Sequence, residues 1–212
     1  MGWIDLSHTL GQRIAAYPGS PQAGSETIAT LEQNGYREKR LYLNSHSGTH
    51  LDSPAHMLRD GKPLNEMPLS AFVGKGIVVP ATDYPREISP QTLRTLKTED
   101  DADFVLFHTG WDSRWNTESY FADFPYPGTA LAQKLTALSL KGVGFDTPSA
   151  DAPESEELTN HHIFLRAGMV ILENLTNLDK LIGKEFRLFC FPLNIENGDG
   201  SPVRAVALVD EK

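Results

Sequence analysis

Glu38-Lys39-Arg40-Leu41-Tyr42-Leu43-Asn44-Ser45-His46-Ser47-Gly48-Thr49-His50-Leu51-Asp52-Ser53-Pro54-Ala55-His56 alternates in its first half and resists a helix in its second. Glu38, Arg40, Tyr42 and Asn44 interleave with Lys39, Leu41 and Leu43, the two-residue period of a strand. Gly48 and Pro54 disfavour a helix through the second half, one by its conformational freedom and the other by its missing N–H. The stretch predicts a strand over residues 39–43 that runs out into a loop, and so a fold containing β structure.

On either side of this stretch, further β-rich runs occupy residues 3–6, 76–79, 104–107, 143–145, 169–172, 186–191 and 203–209, and a mixed sheet accommodates them. Between them lie candidate helices. One is opened by Ser89-Pro90, a cap followed by a first-turn proline; another runs over 129–140 with apolar residues at helical spacing, and a third over 155–163. Residues 15–24 and 150–155 are rich in small and turn-forming residues and read as loops. The class is α/β, and 212 residues with 40% hydrophobic composition suffice for one domain with a full core.

The formal net charge of -9, with no basic run, argues against nucleic acid as a partner. The start, Met1-Gly2-Trp3-Ile4-Asp5-Leu6-Ser7-His8, has neither the basic nor the apolar character of a signal peptide, and no apolar run is long enough to span a bilayer. A cytoplasmic protein without a membrane partner is the expectation. The one cysteine, Cys190, follows the apolar run Phe186-Arg187-Leu188-Phe189 and reads as a core residue.

Three of the seven histidines, His46, His50 and His56, fall inside eleven positions together with Asp52. His46, His50 and Asp52 share one parity, so in an extended chain two imidazoles and a carboxylate would converge, a ligand set suited to zinc or manganese. Asp52 has two oxygens and could bridge two ions. Histidines in a polar loop are often plain surface residues, but four such groups packed together have no packing value and point to a metal site.

The segment matches HxGTHxDxPxH at every fixed position and resembles the metal-dependent cyclase-like hydrolases, a family that includes arylformamidases (kynurenine formamidases) and isatin hydrolases. The likeness extends through Asp5-Leu6-Ser7-His8, Tyr17-Pro18-Gly19, His108-Thr109-Gly110-Trp111, Gly144-Phe145-Asp146-Thr147-Pro148-Ser149, Ile171-Leu172-Glu173-Asn174-Leu175 and Pro202-Val203-Arg204-Ala205. It implies one swivelling β/α/β domain over 1–212 with a mixed, partly barrel-like sheet. It also implies a homo-oligomer, dimer or larger, and two divalent ions per chain, zinc first and manganese as the alternative.

Carried over by residue, His46, His50 and Asp52 hold a first metal; Asp52 is shared with a second, completed by His161 and Glu173; His56 transfers protons. His161 is preferred to its neighbour His162 by its spacing to Glu173, with Glu154, Glu156 and Glu157 read as solvated helix charges. Glu173 also closes the apolar strand Met169-Val170-Ile171-Leu172, where a carboxylate suits a site better than a core.

The implied activity is metal-assisted hydrolysis of a small-molecule amide, N-formylkynurenine to kynurenine and formate in tryptophan catabolism. Tyr17 stands where the formamidases carry a substrate-lining tryptophan, and Ser20 where aspartate is common. A cyclic-amide or lactone hydrolase is therefore the alternative, and a non-catalytic metal-binding protein the third reading. Trp3 and Phe72 could wall the pocket beside Tyr17. Asp146 and Ser149 either support the site by hydrogen bonds or merely end a strand, and His8 and His108 read as hydrogen-bonded structural histidines.

Overall fold

The computed structural model describes residues 1–95 and 101–209. In chain order the strands are β1 (Gly2–Asp5), β2 (Arg13–Ile14), β3 (Ala23–Ala29), β4 (Glu38–Tyr42), β5 (His50–Asp52), β6 (Val73–Pro80), β7 (Glu87–Ile88), β8 (Phe104–His108), β9 (Tyr126–Pro127), β10 (Gly142–Phe145), β11 (Val170–Glu173), β12 (Phe186–Phe189), β13 (Gly200–Pro202) and β14 (Val206–Val209). The α-helices are α1 (Leu31–Asn34), α2 (Thr129–Thr136) and α3 (Thr159–Arg166).

Nine strands form one mixed sheet, ordered β1-β14-β12-β6-β8-β10-β11-β5-β13, which curls into a half-barrel. Its centre, β6-β8-β10-β11, is parallel, and antiparallel strands extend it on both sides. The central strands are continuous apolar runs because both of their faces are covered. Leu106, Val170 and Leu172 enter the core that also holds Leu6, Leu51, Phe72 and Leu188. Val105, Phe107, Val143, Phe145 and Ile171 face the other way and pack on Leu131 and Leu135 of α2 and on Phe164 and Leu165 of α3. Among the described residues no helix is long and apolar enough to cross a membrane.

Several expected elements shift. The strand before the histidine segment forms as β4, but in a separate three-stranded sheet with β2 and β3, outside the main one. The helix expected over 155–163 begins four residues later, at Thr159, after Leu158 in the left-handed region (φ 47). Its first amides are capped by Asp151, ten residues upstream of His161 rather than by the residue next to the helix. The helix expected to reach residue 140 stops at Thr136, because the following chain turns so that the Lys141 N–H can bond the Asp103 carbonyl. Ser89-Pro90 opens a 3-10 helix, Pro90–Thr95, in place of an α-helix. Of the run over 203–209, Val203 makes only an isolated bridge to Pro192, and the strand itself forms as β14.

Candidate metal centre

β5 and β11 pair antiparallel with Glu173 opposite His50 and Ile171 opposite Asp52. Leu51 and Leu172 point into one core, so the alternation of the pleat sends His50, Asp52 and Glu173 to the opposite face, beneath α3. That helix buries His161 with Phe164 and Leu165, three and four positions on, along one stripe, and leaves His162 off it and only partly buried. His161 Nε2 lies 3.2 Å from Glu173 Oε1 and 3.6 Å from Asp52 Oδ2. His50 Nε2 lies 3.3 Å from Asp52 Oδ1 and 3.4 Å from Glu173 Oε2.

His46 arrives by another route than the parity argument assumed. It sits in a turn, not a strand, and the chain reverses at Gly48 (φ 65), a conformation glycine adopts without a side-chain clash, before entering β5. The ring nevertheless reaches Asp52, with Nδ1 2.7 Å from Oδ1. It lies against β13, where a Cβ on Gly200 would stand 2.6 Å from His46 Cε1. His56, on a short 3-10 turn, places its ring centroid 4.1 Å from that of His46 and 6.0 Å from that of His161.

The donor set fits a divalent cation. His50 Nε2 and Asp52 Oδ2 are buried, face the centre and have no hydrogen-bond partner, a costly state for polar atoms unless something else satisfies them. The electrostatics agree. Burial alone would lower His50, yet the negative charges of Asp52 and Glu173 close beside it push it up to about 10, and nearby carboxylates likewise raise His46 and His161 against burial. Burial would raise Asp52 and Glu173, but the surrounding imidazoles hold both below the usual carboxylate range. The pocket thus demands positive charge, which protons or a metal ion can supply. His56 differs: burial leads, and its pKa falls.

Each imidazole is oriented from outside. His50 Nδ1 donates to the Gly48 carbonyl at 2.9 Å, which turns Nε2 toward the centre. The Asn174 amide donates to that same carbonyl and accepts from the Tyr120 hydroxyl. Asp151 accepts from His161 Nδ1 at 2.6 Å. Asp199 accepts from His46 Nε2 at 3.0 Å. Sequence reasoning missed Asp151, Asn174 and Asp199. Asp151 and Asp199 stand among turn-forming residues that explain an aspartate by themselves, so no local signal marks them.

Tyr17 lies near enough to this centre to feel the charges of Glu173, His161 and Asp151. It is 40% exposed, packs edge-on against Phe121 at 5.7 Å, and its phenol is raised first by burial and then by the charge of Glu173. Phe72 and Trp3 do not wall the site. Phe72 is buried in the core on the other side of the sheet, and Trp3 stands exposed on β1, at the far edge from β5. Asp146 accepts from the amides of Thr109 and Gly110 and from the Thr109 hydroxyl, so it anchors the end of β8. Ser149 supports the site at one remove, its hydroxyl accepting the Asp151 N–H at 3.1 Å. His108 pairs with Asp146 at 3.3 Å. His8 is held by stacking rather than by ring hydrogen bonds: it lies parallel to Trp115 at 4.2 Å with Nε2 unpartnered. Cys190 is fully buried, and burial pushes its thiol well up. Glu154, Glu156 and Glu157 are exposed, but in the loop before α3 rather than on it.

Residues 4–152 match the profile of the Cyclase family, described as "Putative cyclase". The chain is similar to the kynurenine formamidase of Bacillus cereus, 30% identical over 205 residues and 96% of each chain. It is equally similar to that of Geobacillus thermodenitrificans, 30% identical over 204 residues, covering 96% of this chain and 95% of the relative. Among solved structures it is similar to isatin hydrolase A from Labrenzia aggregata bound to benzyl benzoate, with a TM-score of 0.85 at 28% identity over 99% of this chain and 94% of the other.

Proposed function

The chain belongs to the Cyclase family, and on that basis we propose that it is a single-domain, metal-dependent amidohydrolase that cleaves N-formylkynurenine to kynurenine and formate. The observation that carries the reading is the buried, inward-facing and unpartnered pair His50 Nε2 and Asp52 Oδ2 beside His161 and Glu173. His46, His50 and Asp52 would hold one ion, and Asp52, His161 and Glu173 a second. When bound, the ions supply Lewis acidity for water and for the substrate carbonyl. The names of the curated relatives support the formyl amide as substrate, and the histidine and carboxylate donors suit zinc.

His56 moves the proton. Its Nδ1 is turned toward Asp199 at 3.5 Å, which leaves Nε2 for the reaction, and its lowered pKa keeps it neutral and able to accept at neutral pH. It takes a proton from the attacking water; as the C–N bond breaks, the same proton passes to the departing arylamine, and formate carries the water oxygen. Tyr17 offers an aromatic wall for the ring of the substrate. The exposed Ile28, Leu31, Leu41 and Tyr42 around the small sheet support a homo-oligomer.

Elemental analysis of wild type beside Asp52→Ala tests the centre: about two metal equivalents in wild type, lost in the variant, are expected for a shared bridging carboxylate. A wild type that stays metal-free after incubation with zinc and manganese overturns the reading. The metal-loaded enzyme is then offered N-formylkynurenine and isatin. Ring opening of isatin with N-formylkynurenine untouched selects a cyclic-amide hydrolase instead, a reading that the likeness to isatin hydrolase A motivates.

A further inference from the structure

Asp199 lies in Asn197-Gly198-Asp199-Gly200, the turn that leads into β13, and β13 pairs with β5 so that Gly200 stands opposite Asp52. This register carries one carboxylate to the outer side of the histidine cluster. Its Oδ2 accepts from His46 Nε2 at 3.0 Å, lies 3.5 Å from His56 Nδ1, and accepts from the Ser45 hydroxyl at 3.4 Å. The backbone beneath is fixed as well: the Asp199 carbonyl accepts from the Ser53 amide at 2.9 Å and from its hydroxyl at 3.0 Å. His46, His56 and Asp199 bring donor atoms within 4.8 Å of one another.

We infer that Asp199 is a positioning residue that orients two imidazoles with one oxygen, a role resting on the hydrolase reading above. By accepting the Nε2 proton of His46 it commits Nδ1 to the side of Asp52, where a ligand is wanted. By facing His56 Nδ1 it aims Nε2 of that ring inward. An imidazole with one nitrogen hydrogen-bonded to a carboxylate has its tautomer and ring plane set, and it binds a metal more tightly for that reason. Turn chemistry accounts for an aspartate at this position but not for one histidine bonded to its oxygen and a second facing it at 3.5 Å.

The discriminating variant is Asp199→Ser, because serine keeps the turn preference while its short side chain falls short of His46. Asp199→Asn keeps both the turn and an oxygen in place. Zinc is titrated calorimetrically into the metal-stripped full chain, and turnover is then followed at saturating zinc. Asp199→Ser is expected to weaken one of the two zinc sites by about 10- to 100-fold while sparing the other, and to lower kcat at saturating zinc with KM unchanged. Asp199→Asn recovers most of the zinc affinity. A folded Asp199→Ser with both wild-type zinc sites overturns the inference and leaves Asp199 a turn residue; wild-type kcat at saturating zinc removes the His56 half. A wild-type chain that takes up no zinc overturns the hydrolase reading and this role together, so the two failures are told apart.

Discussion

Replacing Asp151 by alanine removes the acceptor for three N–H groups: the amides of Asn160 and His161, at 2.8 and 3.0 Å, and His161 Nδ1, at 2.6 Å. The two amides open α3, and their loss is equivalent to deleting a helix cap, about 1 kcal/mol. The ring bond is charge-assisted, since Asp151 and its neighbours hold His161 well above the usual histidine range, and its loss costs about 2 kcal/mol. The Asp151 side chain is only 4% exposed, so water does not readily take its place. Together the expected loss is about 3 kcal/mol, which for a chain of this length lowers Tm by about 6–12 °C. The assay is scanning calorimetry of metal-stripped wild type and Asp151→Ala, which isolates the protein's own contacts. A zinc titration of the same samples should show affinity reduced about 10- to 100-fold as Nε2 of His161 loses its aim. Asp151→Asn, which retains an oxygen for one amide, should fall between. An Asp151→Ala variant melting within about 2 °C of wild type with a wild-type zinc isotherm would overturn this account of Asp151.

Gly200→Ala puts a methyl group 2.6 Å from His46 Cε1, so the ring must tilt away from Asp52; we expect kcat/KM to drop about 100-fold in the folded variant, and steady-state kinetics at wild-type level would show that the ring is not held there. His56→Ala should keep the metal content of wild type and lose about 10²- to 10⁴-fold in kcat; an equal loss of metal would make His56 a ligand instead of the proton carrier. His108 is raised, first by its pairing with Asp146 at 3.3 Å and against burial, so its folded pKa lies above the unfolded value. Its contribution to stability is therefore complete below about pH 6.5 and fades as pH rises through the raised folded value. Urea denaturation should accordingly find His108→Gln further below wild type at about pH 6 than at about pH 9, and a gap that widens with pH would sink the assignment.

The four neighbours His46, His50, Asp52 and His56 were visible in the sequence because they are close along the chain, and any conformation that turns them inward brings them together. How they are turned inward was not visible. An extended chain puts His46, His50 and Asp52 on one face, whereas the structure uses that alternation only for His50 and Asp52 and brings His46 back through the Gly48 turn onto Gly200. Glu173 and His161 become neighbours of Asp52 through the β5–β11 register and the seating of α3 on the sheet, both long-range facts. Spacing could nominate them, but only the packed sheet defines the distances. The orienting residues lie a step further from the sequence. Asp151 is separated from His161 by a loop and from Asp52 by nearly half of the chain, and Asp199 meets His46 only because β13 adds to the sheet edge beside β5. A local pattern reports what a residue can do, and an aspartate in a turn can cap, turn or bind with equal ease. What separates these roles is the partner that the fold brings within 3 Å, and here each turn aspartate meets a histidine whose other nitrogen faces Asp52.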